Sequence, residues 1–171
     1  IDRYILLVLP HTDHNGAFRA FDQALVENLR SKANVICVQA RNLKDIGETV
    51  GFINAIGLHS IVDVIFCGHG NQRLLCFNSR DQADGYLRIG SLATDRLLAF
   101  IAPKLVPAAR VLLHSCSTGM GADKSLGYYL ANKLNRTVFA PNGAVEGLQI
   151  TLHSLDPLEL RIVSPDAPLE M

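Results

Sequence analysis

Five short apolar runs recur along this chain: Tyr4 to Pro10, Val35 to Val38, Ile61 to Phe66, Arg110 to Leu113 and Thr137 to Ala140. A continuous apolar run, as opposed to an alternating one, reads as a strand buried on both faces. Between the runs lie apolar stripes at helical spacing. They are Phe18, Phe21, Leu25 and Leu29; Ile46, Val50, Ile53 and Ile56; Leu97, Leu98, Ile101 and Leu105; and Leu126, Tyr129, Leu130 and Leu134. Strand alternating with helix predicts an α/β fold, a mostly parallel sheet flanked by helices on both faces. Right-handed crossovers and a doubly wound strand order follow. Leu74–Phe77 and Tyr86–Ile89 flank the polar segment Asn78 to Gly85, which predicts a β-hairpin after the third strand. Leu148–Leu152 and Leu160–Val163 read as short further strands, and the tail from Ser164 as irregular.

The chain of 171 residues suits a single domain, 1–171, with a real core. The abrupt start at Ile1, one step from a strand, reads as a domain cut from a longer protein. With 49% hydrophobic and 19% charged residues, the composition is that of a globular chain. Sixteen basic side chains balance sixteen acidic ones, without the basic excess of a dedicated nucleic-acid binder. No apolar run approaches the roughly 20 residues of a membrane span. The partner expected is therefore neither nucleic acid nor membrane. The four cysteines, Cys37, Cys67, Cys76 and Cys116, include no CxxC pair and fit no zinc motif. Cys37 and Cys67 sit in apolar runs, where a small buried thiol is expected. A disulfide framework does not suit a core of this size, so a reducing compartment, the cytoplasm, is expected, with a secreted effector or toxin as the alternative.

In doubly wound sheets, sites form outside the carboxyl ends of the strands. Three loops at that edge have the composition of a site: His11 to Gly16, Cys67 to Gln72 and His114 to Asp123. If the third and fourth strands are parallel neighbours, His69 and Cys116 emerge side by side. A histidine beside a cysteine is the minimal equipment of a thiol nucleophile and its proton-transfer partner. Free backbone N–H groups around Cys116, together with that of Gly70, would serve an oxyanion. Gly68 and Gly70 bracket His69 and permit close approach of a substrate backbone. Taken singly, Cys116 reads first as a packed thiol and His69 as a turn residue; it is the two together, at the ends of two strands on one edge, that favour the catalytic reading. Asp13 or Asn15, and Asp123, also read as helix caps.

An apolar strand ending in His69-Gly70, a hairpin, a helix, and an apolar strand ending at Cys116 resembles the caspase-like (clan CD) cysteine peptidases. That group includes caspases, metacaspases, legumains, gingipains, separases and the self-cleaving domains of large bacterial toxins. The separation of 47 residues (116 − 69) compares with roughly 50 in caspases. The resemblance spans Tyr4 to about Pro141. In place of the caspase block Gln-Ala-Cys-Arg-Gly the chain has His114-Ser115-Cys116-Ser117-Thr118, and its Cys-x-x-Gly ending is closer to the legumain and separase types.

The resemblance implies a caspase-like sheet of flavodoxin-like order and peptide-bond hydrolysis by a His69–Cys116 dyad. Gly70 and Cys116 would be the oxyanion donors. No metal or organic cofactor and no third acidic member would be required. It implies a protein or peptide substrate, and leaves autoprocessing and dimerisation open, the latter through a sixth strand drawn from Leu148–Val163. In several relatives the residue two before the catalytic Cys lines the pocket for the P1 side chain, here His114, and the loop after the first strand contributes, here His11, Asp13 and His14. Asp13 would receive a basic P1 group, whereas His114 argues against a strongly cationic occupant and favours a polar or small one. Relatives activated by inositol hexakisphosphate carry a strongly basic surface; here only Arg73, Arg80 and Arg88 group locally. No acidic cluster suggests calcium activation.

The leading alternative is a catalytically inactive caspase-like module used for binding or scaffolding. A phosphate-binding domain would want a Gly-rich loop after the first strand, where the chain has one glycine and an acid. A serine hydrolase of the α/β type would want G-x-S-x-G, which is absent. Acyl transfer or transpeptidation through the same Cys–His pair remains chemically equivalent up to the acyl-enzyme.

Overall fold

The computed structural model describes residues 3–12, 26–31, 33–57, 61–78, 83–143, 149–155, 158–163 and 168–169. In chain order the elements are β1 (Tyr4–Pro10), α1 (described over 26–30), β2 (Asn34–Ala40), α2 (Leu43–Ala55), β3 (Ile61–Cys67), β4 (His69–Gly70), β5 (Leu74–Cys76), β6 (Tyr86–Arg88), α3 (Leu92–Ile101), β7 (Leu105–His114), α4 (Leu126–Leu134), β8 (Thr137–Phe139), β9 (Gln149–Leu155), β10 (Leu158–Val163) and β11 (Pro168–Leu169).

Five strands form the main sheet in the order β2-β1-β3-β7-β8, with every pairing parallel. Numbered by their succession in this sheet, they run 2-1-3-4-5, the doubly wound order of the flavodoxin type. The continuous apolar runs have the cause expected of them. Leu6, Val8, Val64, Phe66, Val111 and Leu113 pack on one face with α2, α3 and α4. Ile5, Leu7, Ile65, Cys67 and Leu112 pack on the other with Leu29 of α1. With strand side chains alternating between faces, both faces must be apolar to be covered.

Helix α2 starts at Asn42, whose side chain accepts from the Asp45 N–H, and α3 at Ser91, which accepts from the Thr94 N–H. For α4 the cap is Ser125, accepting from the Tyr128 N–H at 3.2 Å, and not Asp123. Pro103 lies in a 3-10 turn, Ala102–Lys104, that follows α3, so Leu105 begins β7 instead of closing the helical stripe. Ile56 caps α2 and is exposed, unlike Ile46, Val50 and Ile53. Cys67 is buried as expected, but Cys37 is exposed, because β2 is an edge strand.

The hairpin is present as β5 against β6, and β4 joins it to make a three-stranded antiparallel sheet. Strands β9 and β10 form an antiparallel pair that is its own sheet and supplies no sixth strand to the main one. The tail is not wholly irregular, since β11 pairs with β10. Among the described residues no helix is long and apolar enough to cross a membrane.

Candidate active site

The register of β3 on β7 decides what meets at the carboxyl edge. Phe66 is paired with Leu113 and Cys67 with His114, and the Gly68 N–H continues the ladder by donating to the His114 carbonyl at 3.3 Å. His69 and Cys116 each stand two residues beyond the last pair. They leave neighbouring parallel strands at matching positions of one edge, and both are half-buried. The edge also borders the point between β1 and β3 where the strand order reverses, the usual crevice of doubly wound sheets.

His69 opens β4 and lies opposite Cys76. The Asn71 N–H donates to the Leu74 carbonyl at 3.0 Å, and the Asn71 side chain accepts from the N–H groups of Arg73 and Leu74, closing a tight turn. Antiparallel ladders alternate bonded and non-bonded pairs. With Asn71–Leu74 bonded, the neighbouring Gly70–Leu75 pair is the non-bonded kind, so the Gly70 N–H points to the side of β4 away from β5. A Cβ at Gly70 would overlap Ser115 Oγ and stand 2.8 Å from the Leu74 carbonyl oxygen, so close approach demands glycine here.

Cys116 follows β7 by two residues, and the next residue, Ser117, sits at φ 55 in the left-handed region. A serine held there stores of order 1 kcal/mol or more, which the surrounding contacts must maintain. They do so from two sides. The Ser117 N–H donates to the Gly143 carbonyl and the Gly119 N–H to the Pro141 carbonyl, both at 2.8 Å. On the other side, the Leu126 N–H donates to the Gln72 carbonyl at 2.8 Å, tying the loop to the turn after His69. Gly119 lies so near the Ala140 carbonyl that a Cβ would overlap it. The N–H groups of Ser117, Gly119 and Met120 are therefore engaged within the protein, whereas that of Cys116 makes no backbone hydrogen bond among the described residues.

No disulfide joins any of the four cysteines, which stand in four different settings. Cys67 is fully buried. Cys76 donates to the Asn78 carbonyl at 2.9 Å, and burial pushes its pKa up, which keeps it a thiol. Cys37 lies on the exposed edge strand. Cys116 alone stands in a loop at the carboxyl edge of the sheet.

His114 is 5% exposed, and burial pushes its pKa down to about 4. Near neutral pH its imidazole is therefore uncharged. His11 is exposed; its N–H donates to the carbonyls of Ala40 and Phe77, each at 3.0 Å, so the end of the hairpin lies against the end of β1. His11 lines an open groove of ≈ 430 Å³ with Val38, Gln39, Arg41, Asp45, Glu48 and Thr49. That groove is walled by β2 and α2 and includes none of His69, Gly70 and Cys116. Asp13, His14 and Asn15 lie outside the described residues.

Sequence reasoning passed over Ser115. It is fully buried, and its hydroxyl has no hydrogen-bond partner among the described residues. It also passed over Ser125 as a cap, although a serine directly before an apolar stripe is the ordinary signal for one. Among the described residues no three His, Cys, Asp or Glu side chains gather as a metal site.

The sequence model of one family, described as a domain of unknown function (DUF8616), matches residues 53–151, more than half of the chain. The matched span runs from within α2 into β9 and carries both His69 and Cys116. No curated protein matches the chain.

Proposed function

The chain belongs to the DUF8616 family, domains of unknown function, and for this member we propose a cysteine endopeptidase of caspase-like fold that cleaves peptide bonds through His69 and Cys116. The observation that carries the reading is the pairing of Cys67 with His114 in parallel strands, from which His69 and Cys116 follow at equal distance along the chain. The 2-1-3-4-5 strand order and the antiparallel hairpin directly after the histidine support the caspase-like assignment.

In this reading His69 takes the Cys116 proton, and the thiolate attacks the carbonyl carbon of the scissile peptide. The negative charge that develops on the carbonyl oxygen is met by the N–H groups of Gly70 and Cys116. Collapse of the tetrahedral intermediate breaks the C–N bond, and His69 returns its proton to the leaving amine. Water, deprotonated by His69, then hydrolyses the thioester and restores the thiol. Dyad chemistry of this kind requires no cofactor, and the partner is a protein or peptide substrate.

A mixed-sequence peptide library analysed by mass spectrometry tests the proposal. The wild type yields new peptide termini, and Cys116→Ala and His69→Ala, folded to the same melting temperature, yield none. Products undiminished in Cys116→Ala overturn it; none from any of the three proteins favours a binding module of the same fold.

A further inference from the structure

A fully buried hydroxyl without a partner is costly relative to one that is paired, so a protein rarely keeps one in a loop for packing alone. Among the described residues Ser115 Oγ has no partner. It lies between the two loops of the proposed site: one peptide unit before Cys116 and against Gly70, where it occupies the place a Cβ would take. Thr118 closes the same space, its Cγ2 being 3.2 Å from that Cβ position. The Leu74 carbonyl, Ser115 and Thr118 thus all crowd the side of Gly70 on which a Cβ would stand.

Resting on the peptidase reading, we infer that Ser115 is a positioning residue: its side chain fixes the Gly70 N–H as an oxyanion donor and does not itself touch the reacting atoms. Neither His69 nor the Cys116 thiol requires Ser115 for proton transfer in this arrangement. Its removal therefore affects steps that develop charge on the carbonyl oxygen and spares simple alkylation of the thiol. A donor displaced by a fraction of an ångström loses much of its transition-state interaction, because the geometric tolerance of such sites is small.

The test compares two reagents on the full chain. Iodoacetamide alkylates Cys116 without forming an oxyanion. A peptide aldehyde adds to the thiol to give a hemithioacetal, whose oxygen needs the Gly70 and Cys116 N–H groups. Ser115→Ala, with an unchanged melting temperature, alkylates at the wild-type rate across the pH range and binds the aldehyde about 10-fold or more weakly. Ser115→Cys, which keeps a polar atom in the same place, recovers part of that loss. Equal aldehyde affinity in wild type and Ser115→Ala overturns the positioning role, as does a parallel loss in both reagents. A wild type that binds no aldehyde, and whose Cys116 alkylates no faster than Cys37, instead overturns the peptidase reading on which the inference rests.

Discussion

At the scale of single residues, the carboxyl edge is built from close contacts that tolerate little added volume. A Cβ at Gly70 would meet both the Ser115 hydroxyl and the Leu74 carbonyl. Gly70→Ala is predicted to lower stability by about 2 kcal/mol, the usual range for overpacking, as read by urea denaturation. Two buried ionisable groups give a second residue-scale prediction. Asp63 pairs with Arg110 at 3.4 Å, but burial outweighs the guanidinium and pushes its pKa up to about 7. His114 is pushed down to about 4. Between those values the folded protein keeps Asp63 protonated while the unfolded chain ionises it, so stability falls as pH rises. His114 works in the opposite sense: the unfolded chain protonates it below its ordinary 6.5 while the folded one does not, so its contribution is present above 6.5 and is lost toward pH 4. In full the Asp63 effect is about 4 kcal/mol and that of His114 about 3 kcal/mol, and across pH 4 to 6.5 they oppose each other. Asp63→Asn therefore makes stability rise with pH in this window more steeply than wild type, and His114→Asn makes it fall relative to wild type. Melting curves of the three proteins at pH 4.5, 5.5 and 6.5 check the sign; parallel curves contradict it.

Secondary-structure elements differ in how far they could be read from the chain. The apolar runs and the last three stripes correspond to β1, β3, α2, α3 and α4 because burial on defined faces leaves a periodic trace, while Phe18, Phe21 and Leu25 of the first stripe lie outside the described residues. Strand β4 left none, since two residues, His69 and Gly70, carry no period, and their pairing is made by the turn at Asn71. The start of β7 was hidden because Pro107 and Ala108 are exposed and carry no apolar signal. Ser115 could not have been singled out, since only the approach of Gly70 from another strand makes its hydroxyl unusual. The strand endings at His69 and Cys116 were legible because a parallel sheet brings all carboxyl ends to one edge. At the same scale, Arg136 ties the α4 terminus to the turn before β7. Its guanidinium donates to the carbonyls of Ala102, Leu105, Val106, Leu134 and Asn135. Arg136→Ala is expected to cost about 2–4 kcal/mol by leaving several carbonyls without donors, and Arg136→Lys to recover little, because an ammonium cannot fork to separate acceptors. The Ser125→Ala change removes a cap and is expected to cost about 1 kcal/mol. Chemical denaturation measures all three.

For the whole molecule, the doubly wound order does two things at once. It covers both faces of the sheet, so the strands can be apolar throughout, and it leaves a crevice at the carboxyl edge where the loops after β3 and β7 emerge. The Cys116 loop is held there by bonds to the turn after His69 and to the loop after β8. The four thiols of the molecule provide an internal control, because only Cys116 stands in a loop at that edge. Labelling with a peptidyl fluoromethyl ketone, followed by peptide mapping, compares them in a single experiment. Modification is predicted at Cys116, at least 10-fold faster than at Cys37, Cys67 or Cys76, and lost in His69→Ala while the protein stays folded. Labelling of Cys116 no faster than of Cys37, or unchanged in His69→Ala, contradicts a working His69–Cys116 pair.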